Sequence, residues 1–227
     1  MMLLTIHPPD HGLIYKETNL HHFFPEPWNM VSSALFLIPG IYWLIKLKGF
    51  NKQYTFLSIA TWLLLIGCVG STVYHGLRRW HIFIFMDWVP IALLCLMASV
   101  YFWIKFTGKT IYGIIALLVF IALVLGICSI FPKYDIQLMI SLNYVVMVLM
   151  IVLPLVLLLW KMHWHNAWLV LCAFASFIIA VGFRVEDKYT SLSIGTHFLW
   201  HTFGAIATTL IFVFIYRINK ITMIEQI

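Results

Sequence analysis

Seven apolar runs, each close to the length a helix needs to cross a bilayer, divide this chain almost from end to end. They are about Trp28–Leu47, Thr55–Leu77, Ile82–Ile104, Ile111–Phe131, Ile136–Trp160, Ala167–Phe183 and Leu192–Tyr216. A helix crosses the hydrocarbon core in about 20 residues, whereas a membrane strand needs only about 10. No water in that core satisfies a free backbone amide, so runs of this length must bond internally as helices. The composition agrees: 63% of the 227 residues are hydrophobic and 10% are charged, unlike any ordinary soluble domain. The connections are short and leave no room for a second domain. The expected fold is a single all-α domain over residues 1–227, a seven-transmembrane helix bundle.

Residues 1–27 lack the basic and apolar regions of a signal peptide. They carry His7, Pro8, Pro9, Asp10, His11, Glu17, His21, His22, Pro25 and Glu26, and read as a polar, irregular segment at the surface. The four cysteines, Cys68, Cys95, Cys128 and Cys172, fall inside apolar runs at wide spacing. That is not a zinc-thiolate pattern, and they behave as small buried apolar residues.

Net charge is +6, but the basic residues stand singly or in small clusters at run ends, which excludes a nucleic-acid surface. Their placement predicts orientation. With seven spans, the amino-terminal side holds Lys16, Arg78, Arg79, Lys133, Arg184 and Lys188, against eight lysines and arginines on the other side. The excess favours an extracytoplasmic amino terminus and a cytoplasmic carboxyl terminus.

Against this apolar background a few polar side chains stand out. His197 and His201 lie four apart in the last run, His75 closes the second, and Asp87 lies inside the third. Ionisable groups at membrane depth are costly and mark functional sites. Seven alternating spans bring all four to the same face, within about 5–15 Å of it at 1.5 Å per residue. Residues at i and i+4 share a helix face, so His197 and His201 can grip one ion, and Ser71 points the same way as His75. Three neutral imidazoles are the ligand set of a catalytic zinc, with the fourth position left for water.

In that arrangement Asp87 is the candidate base, and Ser71 the candidate holder of the water or of a developing oxyanion. Tyr144 in the fifth run is a second candidate donor. Plainer readings exist: Asp87 as an acid at a helix start, and Ser71 bonded back to its own helix carbonyl. His163, His165 and the neighbouring Trp164 and Trp168 read as interfacial, and Arg78, Arg79 and His81 as solvated loop residues. Gly67, Gly70, Gly195 and Gly204 read as sites of close helix contact.

The motifs Ser71-x-x-x-His75, Asp87-Trp88-Val89-Pro90 and His197-Phe198-Leu199-Trp200-His201, in this order, resemble the intramembrane hydrolase superfamily. That superfamily includes alkaline ceramidases, adiponectin-receptor-like proteins and GPI-lipid remodelling enzymes. Glu26-Pro27-Trp28-Asn29-Met30-Val31-Ser32 and His197-x-x-Trp200-His201-x-x-x-Gly, with the expected orientation, are most similar to the alkaline ceramidase branch. The resemblance implies a zinc hydrolase that cleaves the amide of ceramide, or of a related N-acyl lipid, to a sphingoid base and a fatty acid. His75, His197 and His201 would bind zinc, Asp87 would act as base and then acid, and Ser71 would support the oxyanion.

The family's acidic calcium-binding stretch is broken here. Only Asp10, Glu17, Asn19 and Glu26 offer oxygen ligands of the kind calcium wants, so weak calcium binding or none is expected. Two other functions use the same residues: a lipid-binding receptor-like protein with a structural zinc, and a proton relay built on Asp87 and the histidines.

Overall fold

The computed structural model describes residues 8–130 and 136–224; the side chains at 130, 136–141, 143–144 and 221–224 lie outside the description. The described residues form helices and turns, with no strand among them. Helix α1, Pro27–Ser33, runs through a 3-10 turn at Ala34–Phe36 into α2, Leu37–Lys46. The residues explain the join. Pro27 begins α1, where no amide proton is needed. Pro39 denies Leu35 its helical donor and crowds that carbonyl, so the helix tightens just ahead of it. The later helices are α3 Thr55–Leu77, α4 His81–Thr107, α5 Thr110–Ile130, α6 Ile136–Lys161, α7 Ala167–Glu186 and α8 His197–Ile224.

Six stretches are long and apolar enough to cross a membrane: Pro27–Lys46, Lys52–Leu77, His81–Thr107, Thr110–Ser129, Ala167–Glu186 and His197–Lys220. The chain is therefore a multi-pass integral membrane protein. The expected span over Ile136–Trp160 is helical as α6, but its described apolar part, Val145–Lys161, is shorter than a span. Large apolar side chains point outward along these helices: Ile38 and Ile45 on α2, Leu171 and Ile178 on α7 are each more than two-thirds exposed. In water such a surface would drive association; in a bilayer it meets lipid.

The helices group into two compact units, Met1–Ile91 with Trp168–Ile227, and Ala92–Ala167. In the first, α1 and α2 lie against α3 and α8. Trp43, Leu57, Tyr74, Phe214 and Ile215 fill the core, each at most 1% exposed. Helix α7 runs beside α8 through Phe183 stacked on Phe203 and Phe177 tilted against Trp200. In the second unit α5 packs on α6. There Ser99 Oγ donates to the Met150 carbonyl at 2.6 Å, and Lys161 Nζ to the Phe106 carbonyl at 2.7 Å.

One boundary departs from expectation. The last helix begins at His197 rather than near Leu192, so His197 is its first residue and not a turn inside it. Leu192–Thr196 is apolar enough to read as helix, but Gly195 adopts φ +68° and turns the chain. Asp187 Oδ1 then accepts the amides of Thr196 and His197 at 2.7 and 2.8 Å. Those amides lie at a helix start, where no carbonyl of the helix reaches them.

Of the four glycines, Gly67 and Gly70 do bring α3 against the start of α4. A β-carbon on Gly70 would strike the Met86 carbonyl, and one on Gly67 would come within 3.1 Å of Pro90. Gly204 faces the Phe36 ring instead, and Gly195 is a turn residue. Gly70→Ala is expected to lower stability by about 1–3 kcal/mol, the usual range for overpacking. Gly126→Ala, whose added carbon meets open space, should leave the thermal midpoint in detergent unchanged or slightly raised. Equal midpoints for the two variants would contradict the contact.

Candidate metal centre

His75 is the third residue from the end of α3, His197 opens α8, and His201 follows one turn later. The three converge. Their candidate ligand nitrogens lie within 4.8 Å of one another, and the three side chains are at most 4% exposed. Among the described residues this trio is the group of donors that can hold a metal ion.

Hydrogen bonds on the far side of two rings decide which nitrogen faces inward. Glu26 Oε2 lies 2.5 Å from His75 Nδ1. A carboxylate accepts, so Nδ1 carries the proton and Nε2 keeps its lone pair. His201 Nδ1 lies 2.9 Å from Ser32 Oγ and 3.2 Å from Ser33 Oγ. Both hydroxyls donate to the Asn29 carbonyl, at 3.1 and 2.8 Å, which leaves their oxygens free to accept from His201 Nδ1–H. The His201 lone pair is again on Nε2. Partners of this kind set tautomer and ring orientation at histidine metal sites.

Buried polar atoms are almost always hydrogen-bonded. His75 Nε2 and His197 Nδ1 are buried and have no such partner. Zinc–nitrogen bonds of about 2.0–2.1 Å in a tetrahedron put ligand nitrogens about 3.4 Å apart. Ring movements of about an ångström close the observed spread to that distance. The donor set, the orphaned nitrogens and the carboxylate behind His75 all fit a zinc ion.

Ser71 is buried, with Oγ 3.0 Å from Ser33 Oγ, and so joins the hydroxyl group behind His201. The bond back to the helix carbonyl belongs to its neighbour: Thr72 Oγ1 donates to Cys68 at 2.8 Å. Asp87 is the seventh residue of α4, beyond the first turn, so it does not cap that helix. It is half-buried. Its neighbour Met86 meets Gly70 of α3, so Asp87 lies in the part of α4 that packs on α3. The side chain of Tyr144, the other candidate donor, lies outside the described residues.

A different tyrosine lies against the centre. The Tyr15 ring stacks on His197 at 4.0 Å and tilts against His75 at 5.4 Å. Burial raises the pKa of its hydroxyl, partly opposed by Arg184 and reinforced by Asp87, so it is a protonated donor at neutral pH. Tyr15 belongs to the segment expected to lie at the surface, and that expectation needs correction. Asp10 and Glu26 are fully buried. Glu17 accepts the amides of Trp28 at 2.5 Å and Asn29 at 3.0 Å, covering the free amino-terminal amides of α1. Asn19 Oδ1 accepts the His21 amide. The four oxygen-bearing side chains considered for calcium are thus all engaged by protein groups.

Arg78 also differs from its reading as a solvated loop residue. Arg78 is 1% exposed and bonded to Asp10, Glu26 and the Leu13 carbonyl. Burial opposes its charge, but the two carboxylates outweigh that and raise its pKa. Asp187 holds the start of α8, and its Oδ2 accepts the Lys16 amide at 2.9 Å. One carboxylate therefore ties the segment carrying Tyr15 to the helix carrying His197. His21, His22, His81, His163 and His165 are exposed and stand apart from the trio.

No protein-family model matches the chain, and no curated protein matches it.

Asp187→Ala strands three backbone donors, two of them in the buried start of α8. A loss of about 1–3 kcal/mol is expected in thermal unfolding in detergent, the cost of unsatisfied buried donors. Asp187→Asn, with one acceptor oxygen kept, should lose less. An unchanged midpoint for Asp187→Ala would contradict the capping role.

Proposed function

We propose that this chain is an intramembrane zinc-dependent hydrolase that cleaves the amide of ceramide, or of a related N-acyl lipid, to a sphingoid base and a fatty acid. One observation carries the reading: three buried histidines present nitrogen lone pairs to one point, two of them orphaned, and no fourth protein ligand joins them among the described residues. Structural zinc sites are usually closed by four protein ligands, whereas catalytic sites keep a position open. The motif resemblance supplies the substrate class.

His75, His197 and His201 would hold the zinc ion, which when bound would supply Lewis-acid polarisation of the scissile carbonyl and a water of pKa near 7. The chain's own residues do the rest. Asp87 takes the proton of the attacking water at its carboxylate and delivers it to the leaving amide nitrogen, as general base and then general acid. Ser71, whose hydroxyl is bonded to Ser33, would turn its O–H from Ser33 toward the carbonyl oxygen as negative charge develops there. Tyr15 is a further protonated donor beside His197. Glu26, Ser32 and Ser33 hold two imidazoles in the metal-binding tautomer. The apolar bundle receives the acyl chain.

The distribution of loop charges over seven spans supports a centre near the extracytoplasmic face, with the amino terminus on that side and the carboxyl terminus in the cytoplasm. The lipid then reaches it from the outer leaflet.

Asp87→Asn tests the chemistry separately from the metal. It is expected to keep zinc and the wild-type thermal midpoint. Turnover of an N-acyl sphingoid lipid in detergent micelles should fall about 10²–10⁴-fold, the usual contribution of a general acid–base group. Wild-type turnover in Asp87→Asn would remove the assigned mechanism.

A further inference from the structure

Arg78 touches none of the metal-binding rings, yet it is joined to one of them by a continuous buried chain. Its Nε donates to Asp10 Oδ2 at 2.6 Å and its Nη2 to Asp10 Oδ1 at 3.1 Å. Nη2 also donates to the Leu13 carbonyl at 2.9 Å, and Nη1 donates to Glu26 Oε1. The face of the guanidinium lies over the Tyr74 ring, 4.7 Å from its centroid. Both ion pairs are fully buried.

The chemistry at Glu26 is asymmetric. Oε1 is held by Arg78 and by Thr18 Oγ1, the latter at 2.6 Å. Oε2 is aimed at His75 Nδ1. A carboxylate is a planar fork, so anchoring one oxygen fixes where the other points. With Arg78 removed, Glu26 is a buried anion with no cation beside it, and such a group leaves its position or draws in water. The backbone places Arg78 for this task. It ends α3 at φ +48° and follows His75 by three residues, so both stand on one side of the helix end. Only a rigid planar cation with several donors can bridge two carboxylates and a carbonyl at once.

We infer that Arg78 is a positioning residue for the metal centre, acting through Glu26 on His75, so that metal affinity depends on a side chain remote from the metal. The inference rests on the reading that the three histidines bind zinc. A merely structural role, holding Asp10 and Leu13 in place, is the competing account, and the two differ in what they do to zinc. If Arg78 acts through Glu26, the two substitutions remove one interaction and their effects do not add. If Arg78 only anchors the amino-terminal segment, Asp10→Asn should mimic its loss, and Glu26→Gln should act independently.

The test is the zinc dissociation constant of the detergent-purified full chain, measured by competition with a chelator, for wild type, Arg78→Gln, Glu26→Gln, the double variant and Asp10→Asn. Loss of a partner behind a ligating histidine weakens metal binding about 10–100-fold. That loss is expected for each of Arg78→Gln and Glu26→Gln. The double variant should be no weaker than the weaker single variant, within about twofold, which is the usual scatter of such cycles. Asp10→Asn should lower the thermal midpoint and change zinc affinity far less. Should Arg78→Gln not fold, Arg78→Lys, which keeps the charge but loses the fork, gives the same cycle with Glu26→Gln. Wild-type affinity in the Arg78 variant, or multiplicative losses in the double, overturns the inference and leaves the metal site standing. A folded wild type that binds no zinc overturns both.

Discussion

An imidazole nitrogen buried without a partner is costly, and this fold buries two such nitrogens, on His75 and His197. The third ring completes the group within 4.8 Å. A cation at their meeting point would turn that cost into binding energy, and hydrogen bonds from around α1 hold two of the rings in place. Glu26 stands behind His75, and Ser32 and Ser33 stand behind His201. The close contact of α3 with α4 at Gly67 and Gly70 holds the start of α4 against the helix that carries His75. Rings from α3 and α8 are held by groups around α1, so the centre exists only in the assembled unit.

The segment ahead of α1 takes a larger part than a terminal extension usually does. It is fastened at Asp10 by Arg78, at Lys16 by Asp187, and at Glu17 by the first amides of α1. Between those points it lays Tyr15 on His197. Burying the Asp10–Arg78 and Glu26–Arg78 pairs does not by itself argue for stability, because desolvation can exceed the attraction. Their position argues instead for precision: the same charges that hold the segment reach His75 of the candidate metal centre through Glu26.

The histidine trio was legible because helical periodicity and span direction are both written locally. Spacing i, i+4 put His197 and His201 on one face, and alternating spans put His75 at the same end. Placement of the last helix start failed because Leu192–Thr196 is apolar, while the turn is made by a single glycine and a carboxylate ten residues before His197. The buried ion network was not legible at all. Asp10 and Arg78 are 68 residues apart, and nothing in either neighbourhood distinguishes a paired buried charge from a solvated one. Tyr15 was hidden for the same reason: its partner, His197, is brought to it by the fold, whereas Tyr144 drew attention only by lying in an apolar run.

The most direct test of the account is the metal content of the folded, detergent-purified protein, measured by mass spectrometry for wild type beside His201→Ala. About one zinc per chain, lost in the variant, is the predicted result, since a three-histidine centre does not survive removal of a ligand from its only i, i+4 pair. A well-folded wild type that carries no zinc, even after supplementation, would contradict the metal centre and with it the hydrolase.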